Sequence, residues 1–299
     1  MKNLKAIALF LGVTVSVTLT SCSEEVSNPT DLSGTLTPVN ISVSDFSIYM
    51  EDFSGAATRS ETDPATYNGV KAMILAFYTS DGTEIYKSTQ LKGSTDNFGQ
   101  FSCDLPIGTY TLVVLGYTHN DGDVLDLTSP TAAAYTTERT RETFCATQSV
   151  TVTGTTALNL SVTLNRINTM LTVYSTDVRS EQIAKVRTTY SAGGMSFNPT
   201  TGLATTNTGF SIVNNISSAV GATIGIGNYA FLATDEQTMN ITLEVLDDDD
   251  NVLCTKVISS VPLKRNRKTK LTGALFTPSA SSLSFQLSTT YLDDLTVTF

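Results

Sequence analysis

The chain has 299 residues, with 28 Asp or Glu against 18 Lys or Arg and a formal charge of −10. An acidic balance of this size argues against nucleic acid or anionic lipid headgroups as partners, since both require a basic face. Only 15% of residues are charged while Ser and Thr are plentiful, a mixture that suits strands with hydroxyl-bearing outer faces and predicts the all-β class.

Lys2 and Lys5 precede an apolar run from Ala6 to Val17, too short to span a bilayer comfortably as a permanent helix and read instead as an export signal. The run ends in Leu19-Thr20-Ser21-Cys22, which resembles the lipobox of bacterial lipoproteins: an apolar residue, two small ones, then the thiol that takes diacylglycerol. The resemblance implies a signal peptide over residues 1–21, lipid attachment at Cys22 and a lipid hold on the outer membrane. An ordinary secretory signal with a chance cysteine is the alternative. Ser23-Glu24-Glu25 resembles the acidic tag behind the lipid cysteine of Bacteroidetes lipoproteins sent to the cell surface. Up to about Asn40 the chain is Ser, Thr, Asn and Pro, which predicts a flexible tether over 22–40.

Ile41, Val43, Phe46, Ile48 and Met50 alternate with polar residues apart from one shift of phase, as a first strand with a bulge would. Ser54 to Asn68 is small and polar, and predicts an exposed loop carrying Arg59. Val70 to Tyr78 is apolar on both faces and predicts a central strand, followed by the turn Ser80-Asp81-Gly82-Thr83. Phe98, Phe101, Cys103 and Leu105 mark the next strand, and Pro106-Ile107-Gly108-Thr109 turns the chain into Tyr110–Tyr117, where Tyr110, Leu112 and Val114 share one face. Thr118 to Arg141 reads as a long polar connection. Period two returns at Val150 and Val152 and again from Leu158 to Leu164.

A second series of strands is expected at Met170–Tyr174, Val186–Tyr190, Phe210–Val213, Tyr229–Ala233, Met239–Val245, Val252–Ile258, Leu283–Leu287 and Leu295–Phe299, with Asp247 to Asn251 as a hairpin tip. Short strands joined by Gly, Pro, Asn and Asp predict two β-sandwiches, at 41–164 and 165–299.

Ile74-Leu75-Ala76-Phe77-Tyr78-Thr79-Ser80-Asp81-Gly82 and Leu105-Pro106-Ile107-Gly108-Thr109-Tyr110-Thr111-Leu112-Val113-Val114 resemble the fimbrillin-like lipoproteins of Bacteroidetes, including their fimbrial anchor subunits. Leu164-Asn165-Arg166-Ile167, Val261-Pro262-Leu263-Lys264-Arg265-Asn266 and Leu271-Thr272-Gly273 fit the same pattern. The resemblance implies tandem transthyretin-like sandwiches and a place in fimbriae or adhesion, with other fimbrial subunits as partners by strand complementation or docking. In that family major pilins are cut after an arginine, which frees the first strand. Thr58-Arg59-Ser60 is where such a cut could fall, with an ordinary loop arginine as the alternative. The readings that remain open are an anchor or accessory subunit that keeps its first strand, a proteolytically matured polymerising pilin, and a surface glycan-binding lipoprotein. The last usually presents Trp platforms, and this chain has no Trp.

Three cysteines follow Cys22. Cys103 and Cys145 fall in the same expected domain and form the candidate disulfide, with buried free thiols as the alternative. With one His in the chain, His119 beside a turn, a Ser-His-Asp arrangement has little to rest on. Asp247 to Asp250 lacks the alternating ligands and glycine of a calcium loop. Lys264-Arg265-Asn266-Arg267-Lys268 could dock an acidic partner or form a solvated turn. No cofactor, metal or catalytic residue is expected.

Overall fold

A computed structural model describes residues 35–51, 57–62, 67–120, 124–137, 139–154, 156–277, 284–286 and 295–298. Cys22 and its leader lie outside the described residues. The protein is all-β. In chain order its strands are β1 (Leu36–Glu51), β2 (Ala57–Thr62), β3 (Ala72–Tyr78), β4 (Glu84–Leu91), β5 (Gln100–Pro106), β6 (Gly108–Tyr117), β7 (Leu125–Ser129), β8 (Ala132–Tyr135), β9 (Thr143–Val152) and β10 (Leu158–Arg166). Then follow β11 (Thr169–Ser175), β12 (Lys185–Tyr190), β13 (Ser196–Asn198), β14 (Leu203–Ala204), β15 (Phe210–Asn215), β16 (Gly225–Ala230), β17 (Glu236–Leu246), β18 (Val252–Lys264), β19 (Lys268–Gly273), β20 (Ser284–Gln286) and β21 (Leu295–Thr298).

The first sheet runs β2-β1-β10-β9-β6-β3-β4, with β5 also on β1. Strands β9 and β10 meet only at Cys145–Asn165 and Phe144–Arg166. The sheet therefore folds at that corner into two layers, and Val39, Ile41, Phe101, Leu105 and Leu164 of one face Met73, Leu75, Phe77, Leu112 and Val114 of the other. Each such side chain contributes roughly 1.5–3 kcal/mol on full burial. The free edges of β4 and β5 are stitched by Gln90, whose amide donates to the Gln100 carbonyl at 2.6 Å and accepts from Gly99 N–H at 2.8 Å.

β1 carries the expected irregularity, a register shift between Val43 and Asp45. It runs parallel to β10 and antiparallel to β5, so its backbone is paired on both sides over residues 39–42. Arg59 lies not in a loop but in β2, an edge strand antiparallel to β1 with Arg59 opposite Tyr49. The Thr-Arg-Ser-Glu sequence of this edge strand has no apolar alternation and carries the charges that edges favour.

In the second part, sheets β16-β11-β19-β21-β20 and β15-β12-β17-β18 close on a core that includes Leu171, Val173, Val186, Ile212, Leu243, Val245, Ile258 and Leu271. As β1 does with β10, β11 runs parallel to a later strand, β19.

A third core joins the two parts. Strands β3 and β6 are buried on both faces, and their second face sets Ile74, Tyr78, Val113 and Leu115 against Leu125, Tyr135, Ile167, Phe197 and Phe231. A four-stranded sheet β14-β13-β8-β7 covers it, built from both parts through the β8–β13 pairs Ala134–Ser196 and Ala133–Phe197. The expected polar connection from Thr118 to Arg141 thus contains a hairpin. Leu125 and Leu127, then Ala133 and Tyr135, supply its inward positions at period two.

Candidate functional site

The chain passes from β10 to β11 through Ile167 and Asn168, which are 5% and 0% exposed. Asn168 is held from every side. Its amide donates to the Arg141 carbonyl at 2.6 Å, its side-chain oxygen accepts from Thr143 N–H at 3.4 Å, and its backbone carbonyl accepts from Asn266 N–H at 2.9 Å. A two-residue link with all these bonds made has the satisfaction that buried polar backbone requires.

Beside the link, Arg166 and Glu142 form a largely buried ion pair at 2.5 Å. The Tyr67 hydroxyl donates to the same carboxylate, 2.9 Å from either oxygen, and Arg166 donates to the Asn266 side-chain oxygen at 3.2 Å. The guanidinium also lies 5.2 Å above the Phe144 ring, within cation–π reach. Burial, the largest influence, would lower the Arg166 pKa, but Glu142 together with Tyr67 and Tyr229 outweighs it and the net direction is upward. Burial, then Glu142, pushes the Tyr67 phenol up, and the same two causes raise Tyr229 to about 12. Both phenols are therefore neutral, and Tyr67 is available as a donor to Glu142.

An open cleft of about 710 Å³ lies over this network, lined among others by Gln148, Asn165, Arg166, Thr201, Asp235 and Arg265. Its rim charges are matched. Arg265 pairs with Asp235 at 2.7 Å and donates to the Thr201 carbonyl at 2.8 Å, and Lys264 pairs with Glu236. Gly202 sits at φ +69°, and a Cβ there would lie 2.8 Å from the Arg265 Nη1 and 2.9 Å from Ile167, so this turn needs glycine to close on the joint. The basic run Lys264–Lys268, read as a docking or solvated turn, is thus engaged with its own chain at Lys264, Arg265 and Asn266.

The remaining sequence-derived candidates are dispersed. Cys103 and Cys145 carry free thiols in different cores, Cys103 in that of the first sheet and Cys145 in the shared one. Burial raises each thiol to about 12, and Cys145 donates to the Pro199 carbonyl at 3.3 Å. His119 sits edge-on to Tyr117 with ring centroids 6.1 Å apart. Asp247 caps its own hairpin by accepting from Asn251 and Asp249 N–H. Among the described residues no group of three His, Cys, Asp or Glu side chains is placed to hold a metal ion. Of the two residues that organise the joint, Arg166 had a sequence signal as a lone charge between Leu164 and Ile167, whereas Glu142 closes the charged run Glu138-Arg139-Thr140-Arg141-Glu142 and had none. What the arrangement offers chemically is hydrogen bonding from a fixed polar surface.

The model of DUF6562, a family of unknown function, matches residues 36–295. No curated protein matches the chain in sequence. Among solved structures, a Bacteroides ovatus protein described as a candidate adhesin superposes with a TM-score of 0.51 at 12% identity, over 75% of this chain and 82% of that one. A second such Bacteroides ovatus protein gives 0.49 at 11% identity over 77% and 79%. The fimbrial anchor protein Mfa2 of Porphyromonas gingivalis gives 0.46 at 13% identity over 74% and 82%.

Proposed function

We propose that this chain, which belongs to the DUF6562 family, is a non-catalytic cell-surface lipoprotein acting as a fimbrial anchor or accessory subunit in adhesion. The observation that carries the reading is the all-β architecture, shared over most of both chains with a Bacteroides ovatus protein described as a candidate adhesin. Sequence adds the lipobox at Cys22, which would hold the mature chain on the outer membrane, and the acidic residues Glu24 and Glu25 behind it. On this reading residues 41–164 and 165–299 are two sandwiches set at a fixed angle, and the partners are other fimbrial subunits.

The pairing of β1 favours an anchor or accessory subunit over a matured pilin. A cut after Arg59 would leave β1 hydrogen-bonded to both β5 and β10, so cleavage alone would not vacate its place. Mass spectrometry of the mature N-terminus from outer membranes tests this. An acylated Cys22 is the expected result, while a soluble form, or one beginning at Ser60, overturns it.

A further inference from the structure

The end of the first sandwich where the chain enters from Cys22 has two exposed aliphatic side chains. Leu36 opens β1 opposite Pro106, and Ile107, the next residue, joins β5 to β6. They are 51% and 59% exposed. Connections between strands draw mainly on Gly, Pro, Asn, Asp and Ser, so an outward isoleucine at one is out of place in water.

Neither side chain has room to fold inward, because Val39, Leu105 and Val152 fill the core beneath. The backbone here is braced as well. The Thr37 hydroxyl donates to the Gly154 carbonyl, fixing the start of β1 against the β9–β10 turn, and the Tyr110 hydroxyl donates to the Pro106 carbonyl at 2.9 Å. β3 ends beside the start of β6, which brings the turn Thr79–Thr83 to the same end. Its one charge, Asp81, accepts from the Thr79 hydroxyl and from Thr83 N–H. Residues 35–38, 79–83, 105–109 and 152–157 include no Lys or Arg. A surface that bound headgroups by charge would present cations. Aliphatic side chains on a charge-poor tip suit the apolar boundary of a bilayer instead.

The stretch from Ser23 to Thr35 extends at most about 45 Å. A linker of that size holds the tip near the membrane at an effective concentration on the order of millimolar. A contact too weak to recruit a free protein can therefore orient a held one.

We propose that Leu36 and Ile107 seat this end of the protein on the apolar boundary of the bilayer that holds Cys22. The first sandwich then stands on the membrane, and because β10 runs from this end to the joint, the second part lies beyond it. The inference rests on lipid attachment at Cys22 and adds an orientation to it.

The chain has no Trp, so Ile107→Trp introduces the only indole. Full-length lipidated protein is placed in phosphatidylcholine vesicles with brominated acyl chains, where flotation reports attachment and indole quenching reports seating. An indole at the acyl boundary should lose about half its emission or more. The loss should persist in about 1 M salt, where charge attraction is screened. Val220→Trp, at a position 59% exposed in the loop before β16, should be unquenched, and adding Leu36→Asp to Ile107→Trp should restore most of the emission while the protein still floats. Floating protein without quenching at Ile107→Trp overturns the proposal. So does equal quenching of Val220→Trp, quenching lost in salt, or quenching indifferent to Leu36→Asp. Protein that does not float overturns the lipid attachment and the seating with it.

Discussion

Phe197 offers the sharpest perturbation of the joint, because it belongs to the second part of the chain by sequence and packs in the core shared with the first part. It is 0% exposed, stacks on Phe231 with centroids 4.5 Å apart, and sits in β13 opposite Ala133 of β8. Phe197→Ala should cost about 3–5 kcal/mol through lost transfer free energy and the cavity left behind. The lost ring stacking lies within that range rather than adding to it. Against a typical domain stability of about 5–15 kcal/mol, such a loss is large enough to be felt wherever the joint reaches. Native-state hydrogen exchange by mass spectrometry, read on peptides covering Leu112–Leu115 of β6 and Ile241–Val245 of β17, measures it in both parts. The expected result is faster exchange in both. A loss below about 1 kcal/mol, or one confined to β12, β15, β17 and β18, would refute the idea that the shared core couples the two parts.

Glu142→Gln leaves the Arg166 charge buried without its carboxylate and should destabilise by about 3–5 kcal/mol in urea titration, while Glu142→Leu combined with Arg166→Met should recover most of that loss. Asp177 accepts from the N–H groups of Leu275, Phe276 and Thr277 at 2.8 Å. Burial alone would raise its carboxyl pKa, but these bonds hold it below the usual aspartate range. A depressed folded-state pKa gives stability that is present above the unfolded value near 3.9 and lost as pH falls through the folded one. Protection from exchange at residues 275–277, relative to the intrinsic rate at each pH, should therefore fall below about pH 4, and Asp177→Asn should show the lowered protection already at neutral pH. Cys103 and Cys145, with thiols raised to about 12 by burial, should resist a thiolate-selective reagent at pH 8 until urea unfolds the chain. Rapid native labelling of either would contradict their placement.

Much of the fold could be read from residues whose spacing reports burial. Tyr110, Leu112 and Val114 announced one face of β6, and the apolar run Val70–Tyr78 announced a strand covered on both sides, which β3 is at every position. The phase shift after Val43 appears as a register irregularity at that point. What escaped were elements whose reason to be strands lies elsewhere in the chain. β2, Ala57-Thr58-Arg59-Ser60-Glu61-Thr62, has no apolar alternation that a pattern could show, so Arg59 read as loop. β7 and β8 present two inward residues each to a core completed by Phe197 and Phe231, more than sixty residues away in sequence by the shortest such pairing. β16 was expected at Tyr229–Ala233 and instead spans Gly225–Ala230, because its glycines, which lie under Tyr174 and Met170, hide the first half of the strand in a composition that suggests a turn. The joint was visible only as a motif, because Glu142, Arg166 and Asn266 converge from three separate segments.

The two-residue link at Ile167 and Asn168 leaves no length of chain that could pivot. A pull applied at one end of the protein meets the β8–β13 pairing, the shared core and the Arg166–Glu142 pair together rather than one after another. Stretching should therefore draw on these contacts in parallel, and rupture of the joint should register as one high-force event instead of the early compliance of beads on a string. In the anchoring role proposed above, that stiffness would keep the subunit's orientation from wandering with the load.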